Sequence, residues 1–173
     1  MTREQKIVGI GAGSGVLAMV IAMTAGILLV PAPAGLDTLA ERLAYTLRID
    51  AVAALPLLVA IITVGNNRFQ SDAIDPMRRK EDMVTMINGQ VVENTLQQYV
   101  LFLIGTLALG ATLEAERMAV VPVAATVFVL SRVAFWIGYR MDPLYRAFGM
   151  ASTGYLNLGL LSYVAWSVLF QPL

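Results

Sequence analysis

Long stretches without charge are the sequence feature that most restricts how this chain can fold. No Asp, Glu, Lys or Arg occurs between Lys6 and Asp37 or between Glu93 and Glu114, and three further stretches are uncharged or carry a single charge. A helix needs about 20 mainly apolar residues to cross the hydrocarbon core of a bilayer. The stretches therefore predict five membrane-spanning helices, over roughly 8–30, 44–66, 90–113, 118–139 and 147–171.

The composition agrees with a membrane protein and removes several classes of function. Hydrophobic residues make up 58% of the 173 residues and charged residues only 14%, whereas soluble domains are about one quarter charged. Twelve basic and twelve acidic residues cancel, so bulk charge offers no attraction for nucleic acid and we expect no such partner. The absence of Cys and His excludes disulfides, protein thiolates, histidine triads and the usual zinc or haem ligands. We accordingly expect no metal site.

Two segments leave room for more than one interpretation. Arg42, Arg48 and Asp50 crowd the start of the second span, so residues 36–48 could instead form a short amphipathic helix at the interface. In the first span, small residues recur at four-residue spacing, a pattern that lets helices pack closely in lipid. These pairs are Gly9/Gly13 and Gly11/Gly15. We divide the chain into an N-terminal transmembrane helix (1–35) and a four-helix membrane domain (36–173).

The basic residues predict an orientation. If the N-terminus is cytoplasmic, eight Lys and Arg residues fall in cytoplasmic segments and three on the opposite side. The eight are Arg3, Lys6, Arg68, Arg78, Arg79, Lys80, Arg140 and Arg146, and the three are Arg42, Arg48 and Arg117. We expect a multi-pass protein of a plasma or inner membrane, with a cytoplasmic N-terminus and the C-terminus on the other side.

Two of the predicted helices carry polar residues where lipid contact would favour aliphatic ones. In the third helix, i, i+4, i+7 and i+8 spacing places four amides on one face: Gln90, Asn94, Gln97 and Gln98. In the fourth, a second face combines a charge with aromatic side chains: Arg132, Phe135, Trp136 and Tyr139. Polar groups inside a membrane usually face a protein interior or a wet cavity, so the two faces could form one pocket.

Three segments resemble the MAPEG superfamily, the membrane-associated proteins in eicosanoid and glutathione metabolism. They are Glu-Asn-Thr-Leu-Gln-Gln-Tyr-Val-Leu-Phe-Leu at 93–103, Ser-Arg-Val-Ala-Phe-Trp-Ile-Gly-Tyr at 131–139 and Pro-Leu-Tyr-Arg at 143–146. The resemblance covers roughly residues 45–171 and implies an all-α integral membrane protein with a four-helix bundle. It also implies a homotrimer that binds glutathione between subunits, with lipids and a lipophilic small molecule as further partners. The extra N-terminal helix is similar to the mattrin branch of that superfamily.

The resemblance also assigns site residues by position. Asn94 matches the glutathione-binding asparagine, Tyr139 a tyrosine near the end of the next helix, and Arg132 the arginine preceding it. Arg146 matches the arginine that stabilises the glutathione thiolate, so Arg146 and Tyr139 are the expected catalytic residues. Arg68 corresponds to an arginine at the end of an earlier helix.

The chain departs from catalytic members at several pocket positions. Gln90 stands where they commonly have Arg, Gln97 where they have Glu, and Gln98 and Phe135 where they have Tyr. One hypothesis is therefore a glutathione-dependent transferase or peroxidase that acts on a lipophilic substrate at a cytoplasm-facing site between subunits, with Gln90 and Gln97 lining the glutathione pocket.

The alternative is a non-catalytic membrane trimer, a lipid- or ligand-binding scaffold that has lost the glutathione site. In that case the amides of the third helix serve as interhelical hydrogen-bond partners. Arg132 would then form a structural pair with Glu93 or with an amide of the third helix. A small transporter is a third possibility, but the sequence contains no inverted repeat to support it.

Overall fold

The computed structural model of the protein describes residues 1–75, 77 and 80–170. It contains six α-helices: α1 (Arg3–Leu29), α2 (Leu39–Ala53), α3 (Leu55–Phe69), α4 (Met83–Thr112), α5 (Val120–Met141) and α6 (Ala147–Phe170). Short 3-10 turns occupy Asp72–Ile74 and Ala115–Arg117. Two predictions fall on residues outside the described ones. They are the cytoplasmic placement of Arg78 and Arg79 and the end of the last span at residue 171.

In the described part of the chain, five helical segments are long and apolar enough to cross a bilayer, as the sequence predicts. The second of them consists of two helices, α2 and α3, which together cover Leu39–Phe69 and are interrupted at Ala54. Pro56 lies in the first turn of α3 and has no N–H to bond the carbonyl of Val52, so the helix breaks there. The alternative short helix over 36–48 corresponds to α2, which begins at Leu39, continues to Ala53 and packs against α4 and α5.

Helices α1 and α4 begin before the predicted spans, because a capping residue precedes the apolar run. α1 begins at Arg3 because Thr2 and Gln5 form a capping box. α4 begins at Met83 rather than near residue 90, because the Asp82 carboxylate accepts a hydrogen bond of 2.8 Å from the backbone N–H of Thr85. The Thr85 hydroxyl and N–H hold the pKa of Asp82 below its usual value. The length of an uncharged run thus predicts the part of a helix that lies in the hydrocarbon core, whereas the capping residue sets where the helix begins.

The bundle core lies between α4, α5 and α6, where Phe102 stacks on Phe128 with ring centroids 4.5 Å apart. α6 approaches α5 closely at Gly149, where an added Cβ would collide with the backbone of Ser131 and Phe135. Only Gly permits this contact, and the contact brings the polar residues of α6 within reach of Arg132.

α1 packs along α6 and also contacts α5. Of its two glycine pairs, Gly11/Gly15 makes the close contact: a Cβ at Gly15 would collide with the backbone of Phe148. A Cβ on the other pair, at Gly13, would meet no described atom within 4 Å. The helix-packing prediction is therefore correct for one pair only. The domain boundary between residues 35 and 36 stays a prediction.

Candidate binding site around Arg132

Arg132 is buried in the bundle and is held by three neutral acceptors. Its side chain is on α5 and the residue is 1% exposed. One terminal nitrogen, Nη1, donates to the Thr153 hydroxyl at 3.1 Å. The other, Nη2, donates to Asn94 Oδ1 at 2.9 Å and to the Thr95 hydroxyl at 3.0 Å. The guanidinium therefore joins α4, α5 and α6 at one point.

The positive charge of Arg132 has no acidic partner in the described part of the chain. The arginine pairs with the α4 amide Asn94 and not with Glu93, which is exposed. Its Nε is buried without a hydrogen-bond partner among the described residues, and its guanidinium carbon lies 4.0 Å from the Phe135 ring centroid. A buried ion without a counter-charge is costly in a membrane, so this arginine marks a functional or structural centre.

Thr95 and Thr153 complete the site and are absent from the sequence interpretation. The Thr153 hydroxyl donates to the Gly149 carbonyl at 2.9 Å, which leaves its lone pairs free to accept from Arg132. Threonine is common in membrane helices because it can satisfy its hydroxyl on its own helix, so no sequence signal separates these two from other threonines.

The amide face of α4 divides in the structure. Gln90 and Gln97 are exposed on the outside of the bundle, and Asn94 is half-buried next to Arg132. Gln98 instead turns toward α6, where the Asn157 side chain donates to its backbone and side-chain oxygens, both at 2.9 Å. Of the four amides, Asn94 and Gln98 therefore contact the bundle interior, and Gln90 and Gln97 lie on its outer surface.

Aromatic contacts connect the buried arginine to a second, exposed one. Tyr139 lies edge-on to Phe135 with ring centroids 5.7 Å apart. The guanidinium carbon of Arg146 lies 4.8 Å from the Tyr139 ring centroid, and Arg146 itself is exposed. A continuous series of contacts therefore runs from Arg132 through Phe135 and Tyr139 to Arg146, at the connection between α5 and α6.

Arg68 is already engaged in an ion pair. Its Nη2 lies 2.6 Å from Glu81 Oε1, and its Nε donates to the same oxygen at 2.8 Å. This pair joins the end of α3 to the segment that precedes α4. Among the predicted site residues the structure thus connects Asn94, Arg132, Tyr139 and Arg146, while Arg68 is held by Glu81.

Two further buried polar clusters were not predicted. On the α4–α5 side, Trp136 Nε1 donates to Asn88 Oδ1 at 2.9 Å, and Asn88 Nδ2 is buried without a partner among the described residues. Nearer the other end of the bundle, the carboxylate of Asp50 is buried against the Thr106 hydroxyl, at 2.9 and 3.0 Å. Because Asp50 follows Arg42 and Arg48 closely in the sequence, nothing in the sequence indicated that its side chain is buried.

The MAPEG family model matches residues 49–166, which is more than half of the chain and includes all of the residues around Arg132. The chain belongs to the MAPEG family. The predicted resemblance and all-α membrane fold are therefore confirmed.

Two curated relatives support the same assignment. Transmembrane protein 79, or mattrin, of Mus musculus is 25% identical over 136 residues, which cover 79% of this chain and 34% of the relative. The protein of the same name from Bos taurus is 26% identical over 136 residues, which cover 79% of this chain and 33% of the relative. The chain thus aligns with about one third of the length of the curated relatives it matches. No solved structure matches the chain.

Proposed function

We propose that this MAPEG protein is a homotrimeric, glutathione-dependent transferase or peroxidase that acts on a lipophilic substrate at a site between subunits. The observation that carries the proposal is the connected pair of arginines. Arg132 is buried without an acidic partner in the described part of the chain, and Arg146 is exposed over Tyr139. Glutathione is an anionic tripeptide, and cationic donors are the groups that bind its carboxylates and its thiolate.

The residues around Arg132 fit such a ligand. Arg132 forms no ion pair with any described residue, and it orients Asn94 by donating a hydrogen bond to its Oδ1. Among the described residues, the one hydrogen-bond acceptor of Asn94 Nδ2 is the sulfur of Met150, at 3.6 Å, which is a weak acceptor. This amide N–H group therefore remains available to a carbonyl or carboxylate oxygen of a ligand.

Arg146 and Tyr139 are the residues suited to the chemistry. Glutathione supplies the nucleophilic thiol when bound, so the protein needs neither Cys nor His. Arg146 provides a positive charge that favours a thiolate, and the phenol of Tyr139 provides a neutral donor beside it. An apolar bundle surface gives a lipophilic substrate access from the bilayer.

The outer amides of α4 support a subunit interface. Gln90 and Gln97 are exposed on a membrane-spanning helix, and no side-chain hydrogen bond holds either of them within the described chain. An unpaired amide facing lipid costs free energy, whereas amides between helices form hydrogen bonds. We infer that this face meets neighbouring copies, and family resemblance favours three copies.

The distribution of charge supports the proposed orientation. Among described residues, the end of the bundle that carries the N-terminus also carries Lys80 and Arg140, whereas Arg42, Arg48 and Arg117 belong to the opposite end. Basic residues are enriched on the cytoplasmic side. We therefore place the N-terminus and Arg146 at the cytoplasmic face of a plasma or inner membrane.

A non-catalytic trimer is the second candidate function. The site lacks the charges of Arg and Glu at positions 90 and 97, and Arg68 is paired with Glu81. Arg132 also forms three hydrogen bonds that join helices, which is a structural role in itself. On this view the bundle binds another ligand or a lipid and catalyses no reaction.

Equilibrium binding of labelled glutathione to the purified full chain tests the proposal. Arg146→Ala and Asn94→Ala are the test variants, and Arg140→Ala is the matched control because Arg140 is an exposed cation at the same end. We expect saturable binding that weakens about tenfold or more in both test variants, from the loss of one charged or buried hydrogen bond, and is unchanged in the control.

The outcome separates the two candidates. Binding that is lost in the test variants justifies measuring thiol consumption with an aryl halide and a lipid hydroperoxide. If glutathione shows no saturable binding at millimolar concentration, the enzyme proposal is wrong and the non-catalytic candidate is favoured. Equal weakening in Arg140→Ala would show that the measured binding is general charge attraction.

A further inference from the structure

The other end of the bundle, between α1 and α6, holds a cavity that is separate from the residues around Arg132. A cavity of about 540 Å³ lies between these helices, the end of α4 and the connection that leads to α5. Met19 and Met23 line it from α1, and Leu156 and Leu160 line it from α6. Its size is within the range of small-molecule binding sites, and its walls are mainly apolar.

Two close contacts of α1, at Gly15 and at Gly26, flank the turns that carry Met19 and Met23. Gly15 abuts the backbone of Phe148, and Gly26 abuts the side chain of Val123. On the facing helix, Gly159 lines the cavity, and a Cβ there would meet no described atom within 4 Å. The missing side chain at Gly159 therefore leaves space open on the α6 side of the cavity.

The cavity is open at the surface of two helices that are long and apolar enough to span a membrane. Ile27 and Tyr155, which line it on opposite sides, are 48% and 54% exposed. Cavities with apolar walls stay dry and bind apolar molecules. In a membrane, the molecules available to such an opening are lipid chains, and methionine side chains adapt to a flexible chain.

Two opposite charges lie at the mouth of the cavity. Glu116 and Arg117 line it, are exposed in the 3-10 turn at the end of the bundle, and form no ion pair within the described chain. Arginine binds phosphate oxygens well, and a carboxylate attracts an ammonium group. A headgroup with a phosphate and an ammonium satisfies both, whereas a purely anionic headgroup would be repelled by Glu116.

We propose that this cavity binds one zwitterionic phospholipid, with an acyl chain between α1 and α6, its phosphate at Arg117 and its ammonium group at Glu116. The site is separate from the proposed glutathione site, because Arg117 and Arg146 lie at opposite ends of α5. Failure of either proposal leaves the other unaffected.

Native mass spectrometry of the delipidated full chain, titrated with dioleoyl phosphatidylethanolamine, tests the proposal. Gly159→Leu fills the cavity from α6, and Gly154→Leu is its matched control, since a Cβ at Gly154 also meets no described atom within 4 Å but does not line the cavity. Arg117→Ala removes the phosphate partner, and Arg48→Ala is the exposed control at the same end. Met23→Trp fills the cavity from α1 and serves if Gly159→Leu does not fold.

We expect one tightly bound lipid per chain, with affinity lowered about tenfold in Gly159→Leu and in Arg117→Ala and unchanged in both controls. Dioleoyl glycerol, which lacks the headgroup, should bind more weakly and should not respond to Arg117→Ala. Equal lipid retention in Gly159→Leu and Gly154→Leu would overturn the proposal and show that the lipid lies on the general surface. Tighter binding of oleate or phosphatidylglycerol would overturn the zwitterionic assignment.

Discussion

Arg132 shows how a single residue organises a membrane bundle. Its planar guanidinium directs one nitrogen to α6 and the other to α4, and both target neutral oxygens. The guanidinium therefore joins α4, α5 and α6 through three hydrogen bonds, each contributing roughly 0.6 kcal/mol in a membrane protein.

We predict that Arg132→Lys lowers the free energy of unfolding by about 1–2 kcal/mol, because an ammonium group cannot reproduce the planar fork and membrane hydrogen bonds contribute roughly 0.6 kcal/mol each. Unfolding in mixed micelles, followed by tryptophan fluorescence, measures the change. Arg140→Lys, an exposed site on the same helix, is the control. Equal stability of Arg132→Lys and the wild type would show that charge alone is sufficient.

At the residue scale, the sequence predicted one pair of contacting residues but not the clusters around them. The proximity of Asn94 and Arg132 was anticipated from two helical faces, and Arg132 does donate to Asn94. Thr95, Thr153 and the Asp50–Thr106 cluster were not anticipated, because a threonine or an aspartate in the sequence carries no mark of which neighbour it will face. Gln90 and Gln98 share a helical face by spacing, but Gln90 is exposed, whereas the side chain of Gln98 accepts a hydrogen bond from Asn157 of α6.

At the scale of elements, α1 is an added helix whose attachment rests on close backbone contact. The carbonyl of Gly15 accepts a hydrogen bond of 2.9 Å from the Ser152 hydroxyl, beside its contact with Phe148. Small residues allow such close approach in lipid, where no hydrophobic force drives helices together.

We predict that cysteines introduced as Gly11→Cys and Ala147→Cys form a disulfide in high yield, because a Cβ at Gly11 would lie 3.4 Å from the Cβ of Ala147. The chain has no other cysteine to compete. Adding Gly15→Val should abolish most of the cross-link by displacing α1 from Phe148. The yield is read from gel mobility with and without reductant.

Gly13→Val is the control in the same background, since its side chain would meet no described atom within 4 Å. Loss of the cross-link in both glycine variants would show that α1 is sensitive to helix propensity and not to contact at Gly15. High yield in both would show that α1 does not need the close approach.

At the scale of the whole molecule, the exposed amides of α4 predict that one copy is incomplete. We expect native mass spectrometry in mild detergent to detect trimers, and the double variant Gln90→Leu with Gln97→Leu to reduce the trimer fraction. Leucine and lipid are equally apolar, so the substitution removes interhelical hydrogen bonds without adding a driving force.

Thr126→Val is the control for this experiment. Thr126 is also polar and exposed on a spanning helix, but its hydroxyl is satisfied by the Pro122 carbonyl at 2.9 Å. A monomer under all mild conditions would contradict the trimer, and an unchanged trimer in the double variant would place the interface elsewhere.

The sequence by itself determined that the chain forms five segments long and apolar enough to cross a membrane, and roughly where each lies. That information is local, because the free energy of moving a segment into lipid is close to a sum over its residues. Only the tertiary structure decided which neutral oxygens surround Arg132, which amides of α4 remain outside, and that a cavity opens beside α1. These features depend on the rotation and separation of helices, which contacts such as Gly149 against α5 set and which no single segment contains.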